Sequence, residues 1–183
     1  MIMSRNYKFH NQSGLYFISF ATISWIDVFT REEYFNIIID SLHYCRTSKG
    51  MNLYAYCIMT NHVHLIFQSE TGNASGLIRD FKTYTSKKML KQIQMNPIES
   101  RKEWMLNSFR SAGAKNSNVK KMQFWQQHNK PIELWSNKVI DQKLNYIHEN
   151  PVKAGFVTSD VDWKYSSARN YAGDQMILEI DLL

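Results

Sequence analysis

The 183-residue chain predicts an α+β fold: a ferredoxin-like βαββαβ antiparallel sheet with helices packed on one face, plus a helical insertion and a C-terminal extension. Three observations predict it. An aromatic and β-branched run occupies Leu15 to Trp25, two further such runs flank Thr60-Asn61, and a stretch of helical periodicity follows each of these regions.

Leu15 to Trp25, rich in Tyr, Phe, Ile, Thr and Trp, suits a pleated, half-buried surface and reads as a central first strand. Thr30 followed by Glu33 has the spacing of a capping box. The pattern Tyr34, Ile37, Ile38, Ser41/Leu42, Cys45 then runs as a helix until Gly50 ends it. Leu53 to Met59 and His62 to Gln68 form a hairpin about the Thr60-Asn61 turn. From Ser75 to Gln94, Leu77, Ile78, Phe81, Tyr84/Thr85, Met89 and Ile93 make an apolar stripe, with Arg79, Lys82, Lys87, Lys88 and Lys91 mostly off it.

Pro97 breaks that helix. Residues 96–122 read as a mobile insertion containing a short helix between Glu99 and Ala112, followed by a polar, basic stretch. Phe124 to His128 and Ile132 to Trp135 supply the remaining strand or strands, and Ser136 to Glu149 a final helix that stops near Asn150 because Pro151 disfavours helix before it. Residues 157–183 are a C-terminal extension of open role, and the whole of 1–183 reads as one domain.

Composition narrows the function classes. With 44% hydrophobic and 14% aromatic residues the chain can offset the entropy of ordering itself, which excludes a disordered tail. Lys and Arg number 22 against 16 Asp and Glu, a net charge of +6 that favours polyanionic partners, nucleic acid first among them. Cys45 and Cys57 are too few for a disulfide framework and lack zinc-site spacing, and they read as small buried groups. The longest apolar stretch falls short of the roughly 20 residues of a spanning helix, so a soluble, cytoplasmic protein without membrane association is expected.

Chemistry concentrates in two places. In Asn61-His62-Val63-His64-Leu65-Ile66-Phe67, strand alternation puts His62 and His64 on one side and Val63 and Leu65 on the other, so two imidazoles can share one cation and leave positions open. The alternative is a pair on a solvated strand face. In Tyr146 to Gly155, Tyr146 and Asn150 lie four apart and face one partner if the helix persists to Asn150; the alternative is a Tyr packed on the sheet and an Asn capping the helix end. A phenol titrating near pH ~10 needs a polarised phosphate or a phenolate-favouring setting to act as a nucleophile. His148 lies on roughly the opposite side of that helix and His128 in the expected strand.

MTNHVHLIF at Met59 to Phe67, YIHENPVKAGFV at Tyr146 to Val157 and WKYSSARNY at Trp163 to Tyr171 together resemble the single-tyrosine HUH transposases, in particular the REP-associated tyrosine transposases. The resemblance covers Leu15 to Gln94 and Phe124 to Tyr171 and leaves residues 96–122 outside the common pattern. It implies a ferredoxin-like fold and a metal-dependent transposase and endonuclease of single-stranded DNA, often in hairpins. The metal, Mg or Mn, would be held by His62, His64 and Asn150, with Tyr146 the nucleophile that forms a 5′-phosphotyrosine and frees a 3′-hydroxyl.

Thr60 stands where many members carry proline, and Asn150 offers a carboxamide where a carboxylate would bind metal more tightly. A homodimer, which would hold two DNA ends together, is the expected assembly. For DNA contact the candidates are Arg79, Lys82, Lys87, Lys88, Lys91, Lys115, Lys120 and Lys121, with Trp125 and Trp135 as stacking platforms. The rival function is a hairpin-binding protein that has lost strand transfer.

Overall fold

The computed structural model describes residues 8–117 and 121–183. Its elements are β1 (Tyr16–Ala21), α1 (Glu32–Lys49), β2 (Met51–Ile58), β3 (His62–Ser69), α2 (Ala74–Met95), α3 (Lys102–Ala114), β4 (Ile132–Glu133), α4 (Asn137–Lys153) and α5 (Ala168–Ala172). The four strands form one sheet in the order β2-β3-β1-β4, with every neighbouring pair antiparallel. This is the predicted ferredoxin-like topology: β3 sits between β1 and β2, which the α1 crossover connects.

β1 is nearly all buried, as a central strand with both faces covered must be, but it ends at Ala21. The expected strand residues Ile23 to Trp25 form a tight turn instead, with Ser24 and Trp25 at positive φ. The Thr30 capping box does not form. The N-cap is Arg31, and the Thr30 hydroxyl instead accepts a hydrogen bond from Arg101 Nη2 at 2.9 Å. Gly50 closes α1 in the left-handed region (φ 65°), where a side chain would be strained. Asn73 caps α2 through its side chain, accepting from the Gly76 amide.

Val63, Leu65 and Phe67 of β3 join the main core under α1 and α2. The second face is not left bare. α4 lies across part of it, packing Ile147 and Leu144 against Phe17, Ala55, Cys57 and Ile66. Only two residues of the expected late strands pair as a strand, at the β1 edge; Trp125 adds an isolated bridge to Thr22, and His128 sits in exposed loop.

The helical part of the segment expected to be mobile is packed, while residues 118–120 of its basic stretch lie outside the described residues. Met105, Leu106 and Phe109 of α3 enter the core, and Glu99 is buried against Arg31, Arg101 and the Tyr34 hydroxyl. Arg101 Nη1 also reaches the Asp27 carbonyl at 2.6 Å, so this segment braces the loop after β1. The C-terminal extension runs along the outer edge of β2: Ile58 N–H donates to the Tyr165 carbonyl, Ser167 N–H to that of Tyr56, and Asp181 N–H to that of Leu53. An edge that would otherwise present unpaired amides is thereby sealed.

Candidate active site

β3 delivers the histidines. Its register against β1, with His62 opposite Ala21 and His64 opposite Ser19, turns both imidazoles to the α4 face, their ring centroids 4.7 Å apart. The turn before them is tied by hydrogen bonds where a proline would have stiffened it. Asp27 Oδ1 accepts from Thr60 Oγ1 at 2.5 Å and from Asn61 Nδ2 at 2.9 Å, and Asn61 Nδ2 also reaches the Trp25 carbonyl. With its amide nitrogen so engaged, Asn61 presents Oδ1 to His62 Nδ1 at 2.7 Å. His62 Nδ1 must therefore carry the proton, which leaves Nε2 its lone pair.

His64 is 2% exposed, and neither ring nitrogen has a hydrogen-bond partner among the described residues. Its ring stacks against Phe17 at 5.6 Å. Burial pushes its pKa down to about 3, helped by the charges of His62 and Lys143. Burial also lowers His62, with the neighbouring Asn150 side chain and the charge of Asp27 opposing the shift. Both imidazoles are thus held neutral, the form that ligates metal.

α4 brings the second half of the site. Its apolar stripe fixes its rotation on the sheet, and Pro151 does not stop it: the helix continues to Lys153, past the expected end near Asn150. A proline this near the C-terminus costs one backbone hydrogen bond, and the following turn still closes, with Ala154 N–H donating to the Asn150 carbonyl. Tyr146 and Asn150 consequently occupy successive turns of one face. The Tyr146 ring lies 5.2 Å from that of His64, edge to face, and the Asn150 side chain lies beside His62. Tyr146 remains 40% exposed, open to an incoming substrate.

Two imidazoles and a carboxamide oxygen suit a borderline divalent cation that keeps open positions, and the orphaned nitrogens of His64 fit that role. Among the described residues no group of three or more His, Cys, Asp and Glu side chains could hold a metal.

Sequence reasoning missed two neighbours. Lys143, one turn before Tyr146, places Nζ 5.6 Å from the Tyr146 ring centroid and 5.0 Å from that of Phe17; its three-residue offset from Tyr146 was the available signal. Trp25, read as a strand residue, instead stands exposed with its ring 5.5 Å from His62, and no local pattern announces that turn.

The candidates for DNA contact scatter. Trp125 is in the core, 5% exposed, its indole N–H donating to Thr85 Oγ1, and is no stacking platform. Lys82 Nζ donates to the Gln126 carbonyl and Asn129 Oδ1, and burial lowers its pKa to about 7, so it is a structural tie rather than a free cation. Arg79 is exposed and paired with Asp80, while Lys88 lies over Tyr84. Lys87, Lys88 and Lys91 project from α2, on the sheet face opposite the histidines. Lys115 and Lys121 are exposed, Lys120 lies outside the described residues, and Trp135 is 81% exposed. His148 is buried, its Nε2 on Ser167 Oγ at 2.9 Å, and its pKa is lowered by that burial to about 4.

Comparison with known proteins agrees with this architecture. The family described as IS200-like transposase matches residues 16–122, a span that holds His62 and His64, takes in residues 96–122, and stops short of Tyr146 and Asn150. A Haemophilus influenzae protein assigned as a REP-associated tyrosine transposase is 28% identical over 120 residues, 62% of this chain. The chain spans little more than half that relative's length, 56%. A solved structure of a REP-associated tyrosine transposase bound to a REP hairpin superposes with a TM-score of 0.68 at 15% identity, over 93% of this chain and 86% of that one, a likeness of fold.

Proposed function

The chain belongs to the IS200-like transposase family, and on that premise we propose that it cleaves and rejoins single-stranded or hairpin DNA through a 5′-phosphotyrosine on Tyr146. The observation that carries the reading is the approach of the Tyr146 ring to His64, 5.2 Å between centroids, within one chain. His62, His64 and Asn150 would hold Mg or Mn, which when bound offsets the charge of the phosphodiester and polarises it. Tyr146 Oη attacks phosphorus and gives up its proton to water; the bond from phosphorus to O3′ breaks, and O3′ takes up a proton as the free 3′-hydroxyl. Rejoining is the reverse, so the bond energy stays in the phosphotyrosine and no nucleotide cofactor is consumed. Lys143 lies where it can attract the scissile phosphate.

The DNA partner, the divalent cation and a cytoplasmic site of action belong to the same proposal. So does a homodimer, whose role would be to bring two DNA ends together, because each chain already joins its own tyrosine to its own histidine pair. Among the described residues no helix is long and apolar enough to cross a membrane.

The test is to incubate the full chain with labelled single-stranded and hairpin oligonucleotides in Mg or Mn and look for a denaturation-resistant adduct. Wild type forms it and Tyr146→Phe does not, while the variant binds DNA within about twofold of wild type, since one hydroxyl adds little to a contact dominated by phosphates. An adduct on the Phe variant rejects Tyr146. Hairpin binding by wild type without an adduct in either cation rejects the enzyme in favour of a hairpin-binding protein.

A further inference from the structure

Beside the histidine pair stands a half-exposed aromatic side chain. Trp25 is 51% exposed, and its ring contact is the edge of His62 at 5.5 Å. It sits on a backbone that L-residues avoid. Ser24 and Trp25 have φ of 53° and 56°, conformations that cost on the order of 1 kcal/mol or more per residue and persist only where surrounding contacts impose them. Those contacts are present: Trp25 N–H donates to the Thr22 carbonyl, Thr22 Oγ1 to the Ile26 carbonyl, and Asn61 Nδ2 to the carbonyl of Trp25 itself. The turn thus holds a large indole out in solvent at the rim of the site.

Its place along the strands gives it a direction. Trp25 touches His62, His62 neighbours His64, and His64 meets Tyr146, so indole and phenol flank the pair from opposite ends of the β3 run. In an in-line displacement at phosphorus, attacking and leaving oxygens lie on opposite sides. With Tyr146 attacking from one end, the nucleotide that departs with the 3′-hydroxyl extends toward the other.

We propose that Trp25 is the stacking platform for the unpaired base on the 3′-hydroxyl side of the scissile phosphodiester. The direction of the assignment rests on the proposed tyrosine chemistry; the platform itself does not. Stacking on an aromatic side chain is worth ~1–3 kcal/mol per base and tolerates any base, which suits a subsite that must accept single-stranded DNA as such.

The first measurement is binding of a fluorescein-labelled oligodeoxythymidylate in EDTA, which is blind to cleavage. Trp25→Asn removes the ring with a residue that tolerates this φ, and Trp25→Tyr keeps a stacking face. The Asn variant binds about five- to a hundredfold more weakly and loses the tryptophan quenching that accompanies wild-type binding, while the Tyr variant stays within about threefold. Equal binding and equal quenching by Trp25→Asn would overturn the platform even if the covalent adduct forms normally. Absence of the adduct with these binding losses intact would instead reject the tyrosine chemistry and leave the platform standing.

The second measurement places single abasic sites on either side of the mapped cleavage position. The loss from an abasic site on the 3′-hydroxyl side does not add to that of Trp25→Asn, whereas the loss on the phosphotyrosine side does. The opposite pattern would overturn the assigned side.

Discussion

The rings of His64 and Tyr146, 82 positions apart in sequence, meet edge to face at 5.2 Å, with Phe17 beneath both, 5.6 Å from the imidazole and 5.8 Å from the phenol. One central-strand aromatic therefore seats both halves of the site. The strand fixes the face on which His64 emerges, and the apolar stripe of α4 fixes the rotation that aims Tyr146 at it, so the packing that stabilises the second sheet face also assembles the chemistry.

His64 occupies a position that costs stability. Two buried ring nitrogens without partners among the described residues carry a desolvation penalty of about 1–3 kcal/mol that a bound cation would relieve. His64→Leu, close in volume, raises the melting temperature of the metal-free protein by about 2–4 °C. The same variant loses the stabilisation that Mn confers on wild type. Scanning both proteins with and without Mn checks this; a lower melting temperature with the Mn shift retained would show that His64 serves packing.

Lys143 carries a positive charge over the Tyr146 ring, beside the place where the phosphate would sit. Lys143→Met preserves the apolar stem that covers Phe17 and removes that charge. Adduct formation slows about tenfold, the equivalent of one charge contact of about 1.4 kcal/mol, and the salt dependence of DNA binding becomes shallower. Single-turnover rates at two ionic strengths measure both effects; an unchanged rate and salt slope would remove Lys143 from the site.

What the sequence disclosed followed from short-range periodicity. The shared face of His62 and His64 follows from strand alternation, and the stacking of Tyr146 over Asn150 from helical rise. What it concealed depends on partners distant in the chain. Trp125 and Lys82 look like DNA contacts until Thr85, Gln126 and Asn129 close around them. Thr30 has a cap's spacing, yet Arg101 takes its hydroxyl. Pro151 reads as a helix stop because a local rule does not count how few turns remain, and Trp25 reads as strand because the turn that exposes it is imposed by Thr22 and Asn61.

Acid destabilises the metal-free protein through its buried histidines. His148 and His64 stay neutral in the folded chain down to about pH 4 and about pH 3, whereas unfolded they take up protons near pH 6.5. The unfolded state binds more protons in that window, so stability falls as pH drops below 6.5, by up to ~1.4 kcal/mol per pH unit for each histidine. Glu99 acts lower. Burial raises its carboxyl, but hydrogen bonds and charge from Arg101, with Arg31, outweigh burial and hold it at about 2, so its stabilisation is lost from about pH 4.5 downward. Melting temperatures in EDTA decline steadily from pH 7 to 5, and His148→Gln flattens the decline; a pH-independent wild type would contradict the burial of these rings.

Asp27 orients the histidine pair without touching it. Its Oδ1 fixes Thr60 and the amide nitrogen of Asn61, Asn61 in turn fixes the tautomer of His62, and the Asp27 carbonyl is gripped by Arg101 of the 96–122 segment. Asp27→Ala removes the acceptor, frees the Asn61 amide to turn over, and lets His62 exchange tautomers. Outer partners of this kind are worth about 10–100-fold in metal affinity, while the side chain itself is exposed and its loss costs global stability only about 1 kcal/mol. Titration of Mn into Asp27→Ala therefore shows weakened binding by that factor beside a nearly unchanged metal-free melting curve. Retained Mn affinity would place the control of His62 elsewhere, and a collapse of the melting curve would make Asp27 a brace of the fold.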